Sequence, residues 1–413
     1  MRSVGVIVEY NPFHNGHLYH LQQSVSITGA DAVVAVMSGS FLQRGEPAMF
    51  SKRARTEMAL AGGCDLVIEL PVAYSTQAAE WFAYGAVSIL QATGIVNALC
   101  FGSEDGDLHS LRAIASCLAR EPEAFRLMLR EELGRGASYP SAYSHAVRQY
   151  METIGERQAA SLPLARPNNT LGLHYLLALE RIGSSIEPYT IIREKAEYNQ
   201  STITDRHIAS ATAIRSVISG GGGLEQIAGV IPRSTADIIS RELAAGREPL
   251  SWDNFYPKLL HQLLSHSAGQ LRSYYEMSEG LEHRLLQALP AIEKPSFEAL
   301  ITAVKTRRYT RTKLQRVLLS VLLNHQREQL APELLTSGVD YIRVLGFSAK
   351  GRKLLKQMKK TASVPVLLSA ARNQGQHRYL ELDVRASAVY ELAYPDAGPQ
   401  QLFRDYYEPP VML

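Results

Sequence analysis

The most informative segment of this chain is Tyr10-Asn11-Pro12-Phe13-His14-Asn15-Gly16-His17-Leu18-Tyr19. It follows the apolar run Val4-Gly5-Val6-Ile7-Val8, which predicts a first strand, and it precedes a segment of helical character that extends to about residue 28. His14 and His17 therefore lie where a first strand passes into a first helix. This point belongs to the carboxyl edge of an open α/β sheet, where ligands bind and where free N–H groups at a helix start attract phosphate.

Alternating strand-like and helix-like segments fill the first half of the chain. Continuous apolar runs separated by helices are typical of a parallel sheet covered on both faces, so we expect a Rossmann-like, doubly wound α/β fold. The charged, helical segment from about 105 to 166 is predicted as an insertion between the fourth and fifth strands. The four later strands are predicted at residues 31–37, 64–71, 98–102 and 189–193.

Four consecutive glycines, residues 220–223, form the clearest boundary. Each glycine costs a helix interior about 1 kcal/mol, so a stable helix does not continue through them. Beyond them helical periodicity dominates, with few strand signals. We therefore predict two domains, an α/β domain over residues 1–222 and a mainly α-helical, basic domain over residues 223–413.

The composition is that of an ordinary globular protein. Of the 413 residues 46% are hydrophobic and 20% charged, which excludes a disordered or fibrous chain. No run approaches the roughly 20 apolar residues of a membrane helix, and Glu9 interrupts the first apolar stretch, so we expect neither a membrane partner nor a signal peptide. The three cysteines lack CxxC spacing and predict no disulfide framework or zinc site. A cytoplasmic location is expected.

The net charge of +3 is unevenly distributed. Residues 305–360 contain 14 Lys or Arg and 3 acidic residues, a surplus of +11. Such asymmetry suggests that this region meets a polyanion, and structured RNA is a reasonable partner because backbone recognition needs only a basic surface. A solvated, basic helical face is the alternative. The RNA-binding candidates are Arg311, Lys313, Arg316, Lys350, Arg352 and Lys353.

His14 and His17 carry the main chemical signal. If a helix begins near Asn15, both imidazoles face one side of its first turn, where they can donate hydrogen bonds to phosphate and stabilise charge on a transferring phosphoryl group. A zinc pair and a structural pair of histidines are the alternatives; the first lacks the glutamate of an HExxH motif and any nearby cysteine. Gly16 lets a ligand approach the backbone. We therefore take His14 and His17 as the catalytic candidates.

A second cluster of polar residues follows the fifth predicted strand. Ser210 is a candidate helix N-cap, and Thr212 and Arg215 would lie on the same first turn, so the three side chains can converge on a phosphate. A plain capped helix with a surface arginine is the alternative. Three single positions at the same sheet edge, each also interpretable as a turn, a cap or a surface charge, are Gly102, Asn168 and Arg193.

A family resemblance rests on these motifs. His14-Asn15-Gly16-His17 after a short strand, with Ser210-x-Thr212-x-x-Arg215 after the fifth, resembles the HxGH nucleotidyltransferase superfamily. Residues 4–20 are more closely similar to the start of the bacterial tRNA(Met) cytidine acetate ligases, and the resemblance covers nearly the whole chain. The second motif departs from the usual form because alanines surround its hydroxyls. Supporting stretches are Gln43-Arg44-Gly45-Glu46-Pro47, Phe101-Gly102-Ser103-Glu104, Pro167-Asn168-Asn169-Thr170-Leu171-Gly172 and Arg343-Val344-Leu345-Gly346-Phe347.

The resemblance implies a two-step reaction. ATP and acetate form acetyl-adenylate and pyrophosphate, and the acetyl group then passes to N4 of the wobble cytidine of elongator tRNA(Met), giving N4-acetylcytidine. ATP is thus implied as a substrate, and Mg²⁺ is expected to bridge its phosphates. Acyl adenylation requires the protein mainly to orient reactants and neutralise charge. By position, the implied ATP contacts are Ile7, Val8, Glu9, Tyr10, Asn11, Pro12, Phe13, His14, Asn15, Gly16, His17, Leu18, Tyr19, His20, Gly102, Asn168 and Arg193.

Two other functions are compatible with the residues themselves. A small-molecule adenylyltransferase of the same superfamily would share the first motif but would leave the basic segment and the second half of the chain unexplained. A non-catalytic RNA-binding protein with a vestigial nucleotide fold would have no need of an intact His14, Gly16 and His17.

Overall fold

The computed structural model describes residues 1–193, 209–306 and 308–413, so Arg307 of the basic segment lies outside it. No helix of these ranges is both long and apolar enough to cross a membrane. The strands are β1 Ser3–Val8, β2 Ala32–Ser38, β3 Leu66–Leu70, β4 Ala98–Ser103, β5 Glu187–Ile192, β6 Ile342–Phe347, β7 Val366–Leu367 and β8 Val411–Met412. The α-helices are α1 Asn15–Thr28, α2 Lys52–Ala61, α3 Val72–Ser75, α4 Ala79–Thr93, α5 Leu108–Leu118, α6 Glu123–Gly134, α7 Tyr139–Thr153, α8 Arg157–Ala160, α9 Pro167–Ile182, α10 Ala211–Ser219, α11 Arg233–Ala244, α12 Tyr256–Ser265, α13 Ala268–Arg272, α14 Leu281–Ala288, α15 Phe297–Val304, α16 Arg311–Leu322, α17 Pro332–Thr336, α18 Ala349–Thr361, α19 Leu380–Glu391, α20 Pro399–Leu402 and α21 Arg404–Tyr407.

All the strands join one sheet in the order β5-β4-β1-β2-β3-β6-β7, with β8 beside β6. The five strands of the first half are parallel; Val4, for example, pairs with Val33 on one side and Ala98 on the other. Their order is that of a doubly wound sheet, in which the winding reverses between β1 and β4 and leaves a crevice at the carboxyl ends. The predicted Rossmann-like class is confirmed, and the loop after β1 borders that crevice.

The sheet separates two apolar cores. Val34 and Val36 of β2 belong to one core, whereas Val33, Ala35 and Met37 belong to the other. Because side chains alternate across a strand, neighbouring residues of β2 enter opposite faces. The continuous apolar pattern of this strand is therefore explained by burial on both faces.

The later part of the chain differs from its prediction in one respect. The insertion between β4 and β5 is helical as predicted, comprising α5 to α8, and the chain after residue 222 is mainly helical. That second part also supplies β6, which pairs antiparallel with β3 and extends the same sheet. The prediction of few strands there missed this pairing, because β6 and β3 are far apart in sequence. The division into two domains at residue 222 stays a prediction.

A buried network of charges joins β6 to the first half of the chain. Lys52 Nζ on α2 lies 2.8 Å from Glu69 Oε1 and 2.7 Å from Asp405 Oδ2. Arg343 Nη1 on β6 lies 2.9 Å from Glu69 Oε2 and 3.0 Å from Asp405 Oδ2. Buried charges persist only when they are paired, and here two cations face two carboxylates. The network ties the C-terminal segment to β3.

Candidate active site

His14 and His17 form a capping box at the start of α1. His14 is the N-cap, and its Nδ1 accepts the backbone N–H of Gly16 over 3.0 Å. Nδ1 of His17 accepts the backbone N–H of His14 over 3.3 Å. The ring centroids lie 3.7 Å apart. The prediction of a helix that begins at Asn15 and presents both rings on one side is confirmed.

These hydrogen bonds fix the tautomer of both rings. Since each Nδ1 accepts, a neutral imidazole at either position carries its proton on Nε2. Burial, followed by the charges of Arg193 and Arg215, lowers the pKa of His14 to about 3. Burial, followed by His14 and Arg193, lowers the pKa of His17 well below 6.5. Near pH 7 both rings are neutral and offer Nε2–H donors to an anion.

The second predicted motif reaches the same place. Ser210 is the N-cap of α10, with its hydroxyl accepting the N–H of Ala213 over 3.0 Å. Arg215 donates from Nη1 to the carbonyl oxygen of Asn11 over 3.0 Å and from Nη2 to Thr212 Oγ1 over 3.3 Å. The motif thus places one guanidinium directly against the loop that carries the histidines.

A chain of hydrogen bonds positions a second guanidinium. Arg193 Nη1 donates to Asn168 Oδ1 over 3.0 Å, and Asn168 Nδ2 donates to Glu104 Oε1 over 2.7 Å. The Glu104 carboxylate also accepts the backbone N–H groups of Asn168 and Asn169, over 3.0 and 2.7 Å, at the start of α9. A carboxylate at a helix N-terminus is favoured by the free N–H groups and the dipole. The sequence motifs assign no role to Glu104, although it stands two residues after Gly102.

The polar loop after β2 is held by the second half of the chain. The carbonyl oxygen of Gly45 accepts Trp252 Nε1–H over 3.0 Å, and Gln315 Nε2 of α16 donates to Glu46 over 3.1 Å. Gly45 has φ +74° and lies against the backbone of Arg316, where any larger residue would collide. The loop is therefore packed between the sheet and α16.

Arg55 of α2, to which the sequence motifs assign no role, forms hydrogen bonds with the backbone at the ends of β1 and β2. It is fully buried on α2 and donates to the carbonyl oxygens of Glu9 (2.6 Å), Ser38 (3.1 Å), Phe50 (3.2 Å) and Gly39. Burial lowers its pKa to about 10, so it stays charged near pH 7. One side chain thus fixes the carboxyl ends of β1 and β2. Its only sequence signal was its place in the basic run that opens α2.

The two histidines, Arg193, Arg215 and part of the loop after β2 line a cavity of about 430 Å³. Pro12, Phe13, Asn15 and Leu18 of the predicted nucleotide contacts do not line it; Phe13 is fully buried and packs against Gly62. The predicted residues that line it are Ile7, Val8, Glu9, Tyr10, Asn11, His14, Gly16, His17, Tyr19, His20, Gly102, Asn168, Arg193, Ser210, Thr212, Arg215 and Arg311.

The predicted basic residues fall into two groups at opposite edges of the sheet. Arg311 begins α16 and lines the cavity, while Arg316 is mostly buried and pairs with Glu276 over 3.2 Å. In contrast, the α18 group lies at the amino edge, since Lys350 Nζ donates to the carbonyl oxygen of Asp31, just before β2, over 3.1 Å. Arg311 forms an ion pair with Glu298 over 2.7 Å. Among the described residues, no carboxylate forms an ion pair with an exposed cation of α18. These cations are Lys350, Arg352, Lys353, Lys356, Lys359 and Lys360.

No group of three or more His, Cys, Asp or Glu side chains that could hold a metal ion occurs in the ranges that the structure describes.

Comparison with known proteins gives a consistent result. The family described as HIGH Nucleotidyl Transferase matches residues 1–405. The tRNA(Met) cytidine acetate ligase of Acetivibrio thermocellus is 43% identical, with both chains covered completely. The tRNA(Met) cytidine acetate ligase of Halalkalibacterium halodurans is 40% identical over all of this chain and 98% of its own.

Two solved structures are similar over the full length of both chains. The crystal structure of apo Thermotoga maritima TmcAL (form I) is 35% identical and superposes with a TM-score of 0.92. The crystal structure of Thermotoga maritima TmcAL bound with alpha-thio ATP (form II) is also 35% identical and superposes with a TM-score of 0.90.

Proposed function

The chain belongs to the tRNA(Met) cytidine acetate ligase family of HIGH nucleotidyltransferases, and on that premise we propose that it uses ATP and acetate to make N4-acetylcytidine at the wobble position of elongator tRNA(Met). The relatives are named tRNA(Met) cytidine acetate ligases, and the similar TmcAL structure is bound with alpha-thio ATP. The proposed location is the cytoplasm.

One observation carries the proposal. The cavity joins the neutral imidazoles of His14 and His17 and the guanidiniums of Arg193 and Arg215 to the start of the basic helix α16. The first group suits a polyphosphate, and the second suits the backbone of a nucleic acid. A single cavity bordered by both is what an enzyme needs to activate a carboxylate with ATP and pass the acyl group to RNA.

In the first step the cavity orients two anions for an in-line displacement. An acetate oxygen bonds to the α-phosphorus of ATP while the bond to the bridging oxygen breaks, and pyrophosphate leaves with the electron pair. The Nε2–H groups of His14 and His17, with Arg215, donate to phosphate oxygens whose charge increases during this step. Because the imidazoles are neutral and fixed, they stabilise that charge without repelling the neighbouring arginines.

Magnesium is proposed as the companion of the nucleotide. The carboxylates on the cavity wall, Glu9 and Glu46, do not belong to any cluster with the donors of a metal cage in the described ranges. Mg²⁺ commonly keeps several water ligands and is bound largely through substrate phosphates. Such binding needs no cluster of protein ligands, and the described residues of the cavity wall form none.

The RNA surface is proposed to have two parts. Arg311 lines the cavity and, with Lys313 two residues further along α16, would contact the anticodon stem-loop, whose wobble base must enter the cavity. Lys350, Arg352 and Lys353 belong to α18, which contacts the chain just before β2 through Lys350, and would contact a more distant part of the same tRNA. Arg316, paired with Glu276, would hold α16 in place.

The test is incubation of the purified protein with ATP, radiolabelled acetate and total tRNA. The proposal predicts acid-stable label in tRNA that depends on ATP and appears as N4-acetylcytidine after digestion. Formation of a dinucleotide from ATP and a phosphorylated metabolite, without label in tRNA, would favour a small-molecule adenylyltransferase. Absence of any turnover would favour a non-catalytic RNA-binding protein.

A further inference from the structure

The carboxylate of Glu9 is fixed at the cavity wall with one oxygen available. The carboxylate oxygen Oε1 of Glu9 accepts the backbone N–H of Gln43 over 2.7 Å. The backbone carbonyl oxygen of Glu9 accepts a hydrogen bond from Arg55 Nη1 over 2.6 Å. Among the described residues Oε2 has no hydrogen-bond partner, and Glu9 lines the cavity. A rigidly placed carboxylate with an open oxygen can accept a hydrogen bond, and then a proton, from a bound substrate.

Glu9 stands in a different part of the cavity from the phosphate-binding side. The arginines whose charges act on both His14 and His17 are Arg193, which follows β5, and Arg215 of α10. The charges that act on Glu9 are those of Glu46 and Arg44 from the loop after β2 and of Arg55 from α2. Glu46 in turn bonds to Gln315 of α16. Glu9 therefore belongs to the side between this loop and α16, where the second substrate would enter.

We propose that Glu9 is the catalytic residue that takes the proton from the exocyclic amine of the acceptor cytidine during acetyl transfer. This inference rests on the proposed function, because it concerns the second step of that reaction. It assigns Glu9 to the acceptor nucleoside instead of to ATP.

The step balances without a further reactant. The N4 nitrogen of cytidine bonds to the carbonyl carbon of acetyl-adenylate, and the bond from that carbon to the phosphate oxygen breaks. AMP leaves with the electron pair, and the proton of the amine passes to Glu9 Oε2. An amine conjugated to a pyrimidine is a weak nucleophile, so removal of its proton as the C–N bond forms is where a base contributes most.

The surroundings of Glu9 make its carboxylate a stronger base than one in water. Burial raises its pKa, the hydrogen bond from Gln43 partly opposes this, and Glu46 raises it further while Arg44 and Arg55 lower it. Arg311 of α16 and the imidazole of His17 also face the cavity. Transfer requires the ionised form, so its rate should fall as the pH drops through this raised pKa.

The test separates the two steps in the full-length protein. Acetate-dependent exchange of labelled pyrophosphate into ATP measures adenylate formation, and a single-turnover assay with tRNA measures transfer, each over a range of pH. Glu9→Gln keeps an acceptor oxygen for the Gln43 N–H, so the fold and the loop should be preserved. We expect exchange within about twofold of the parent and transfer slower by about 100-fold, a typical general-base effect, without the loss of rate at acidic pH. Glu46→Gln, which removes a neighbouring carboxylate, should keep that acidic loss.

The outcomes are distinguishable. Transfer by Glu9→Gln at the parent rate with the parent pH profile would overturn the assignment. Equal loss of exchange and transfer in Glu9→Gln would also overturn it, since Glu9 would then serve the first step. If the parent protein itself neither exchanges pyrophosphate nor acetylates tRNA, the proposed function fails rather than the role of Glu9.

Discussion

Nδ1 of His17 accepts the backbone N–H of His14 over 3.3 Å, so the second histidine of the motif caps the backbone of the first. The two residues therefore act as a unit in which each ring is anchored through Nδ1 and presents Nε2.

Replacement of His17 by alanine should reduce acetate-dependent pyrophosphate exchange by about 100-fold or more, since it removes a charge-stabilising donor from the phosphate site. Loss of its cap should cost about 1 kcal/mol or less of stability, so the variant should stay folded. Exchange kinetics and thermal melting measure the two effects. Full exchange activity in His17→Ala would exclude the phosphate assignment.

Stability should decrease on acidification because of the buried histidines. The pKa of His14 is lowered from 6.5 to about 3 in the folded chain, so between these values the unfolded chain binds more protons. The free energy of unfolding should thus fall as the pH drops from about 6.5 towards 3. His14→Asn keeps an N-cap acceptor and should show a shallower fall in melting temperature over this range. An unchanged slope would mean that His14 is not buried as described.

Glu104→Ala should weaken nucleotide binding although Glu104 does not line the cavity. Without the carboxylate, Asn168 loses the partner that orients it, and Arg193 loses a fixed acceptor in turn. We expect about a tenfold increase in the dissociation constant for ATP by titration calorimetry, equal to about 1.4 kcal/mol. Glu152→Ala, at an exposed position of α7, is the matched control. Equal ATP affinities in the two variants would contradict the positioning role.

The two basic groups should respond differently to the length of the RNA. Arg311→Ala with Lys313→Ala should weaken binding of an isolated anticodon stem-loop and of whole tRNA(Met). The triple variant Lys350→Ala, Arg352→Ala, Lys353→Ala should weaken binding of whole tRNA only. The slope of the logarithm of its binding constant against the logarithm of salt concentration should decrease by about one unit per lost phosphate contact. Fluorescence anisotropy at several salt concentrations measures both, and ATP affinity should not change in the α18 variant. An equal effect of the α18 variant on the stem-loop would place its surface next to the cavity.

Local sequence pattern and motif predicted the strands and helix starts that frame the cavity. The strands of the first half, the start of α1 at Asn15 and the cap at Ser210 follow from periodicity and capping preferences, which are local. His14, His17 and Arg215 were found because residues at a strand end and at two helix starts meet at one edge of a parallel sheet.

The remainder depends on contacts between distant parts of the chain. Glu104 accepts a hydrogen bond from Asn168, and Arg55 donates to four backbone carbonyl oxygens. A glutamate or an arginine in a sequence does not indicate such contacts. The antiparallel pairing of Phe347 with Leu66 joins segments far apart in sequence. For the same reason, the charge count predicted one basic surface for α16 and α18. In the fold, α16 lies at the carboxyl ends of the strands and α18 at their amino ends.

Isotope labelling of the acetate oxygens can show whether acetate is activated as an adenylate. If an acetate carboxylate attacks the α-phosphorus in this cavity, the bridging oxygen of acetyl-adenylate comes from acetate and stays with AMP after transfer. With ¹⁸O-labelled acetate, ATP and tRNA(Met), mass spectrometry should find one acetate-derived oxygen in each AMP and none in pyrophosphate. AMP without label, or ADP with labelled phosphate, would contradict activation of acetate as an adenylate.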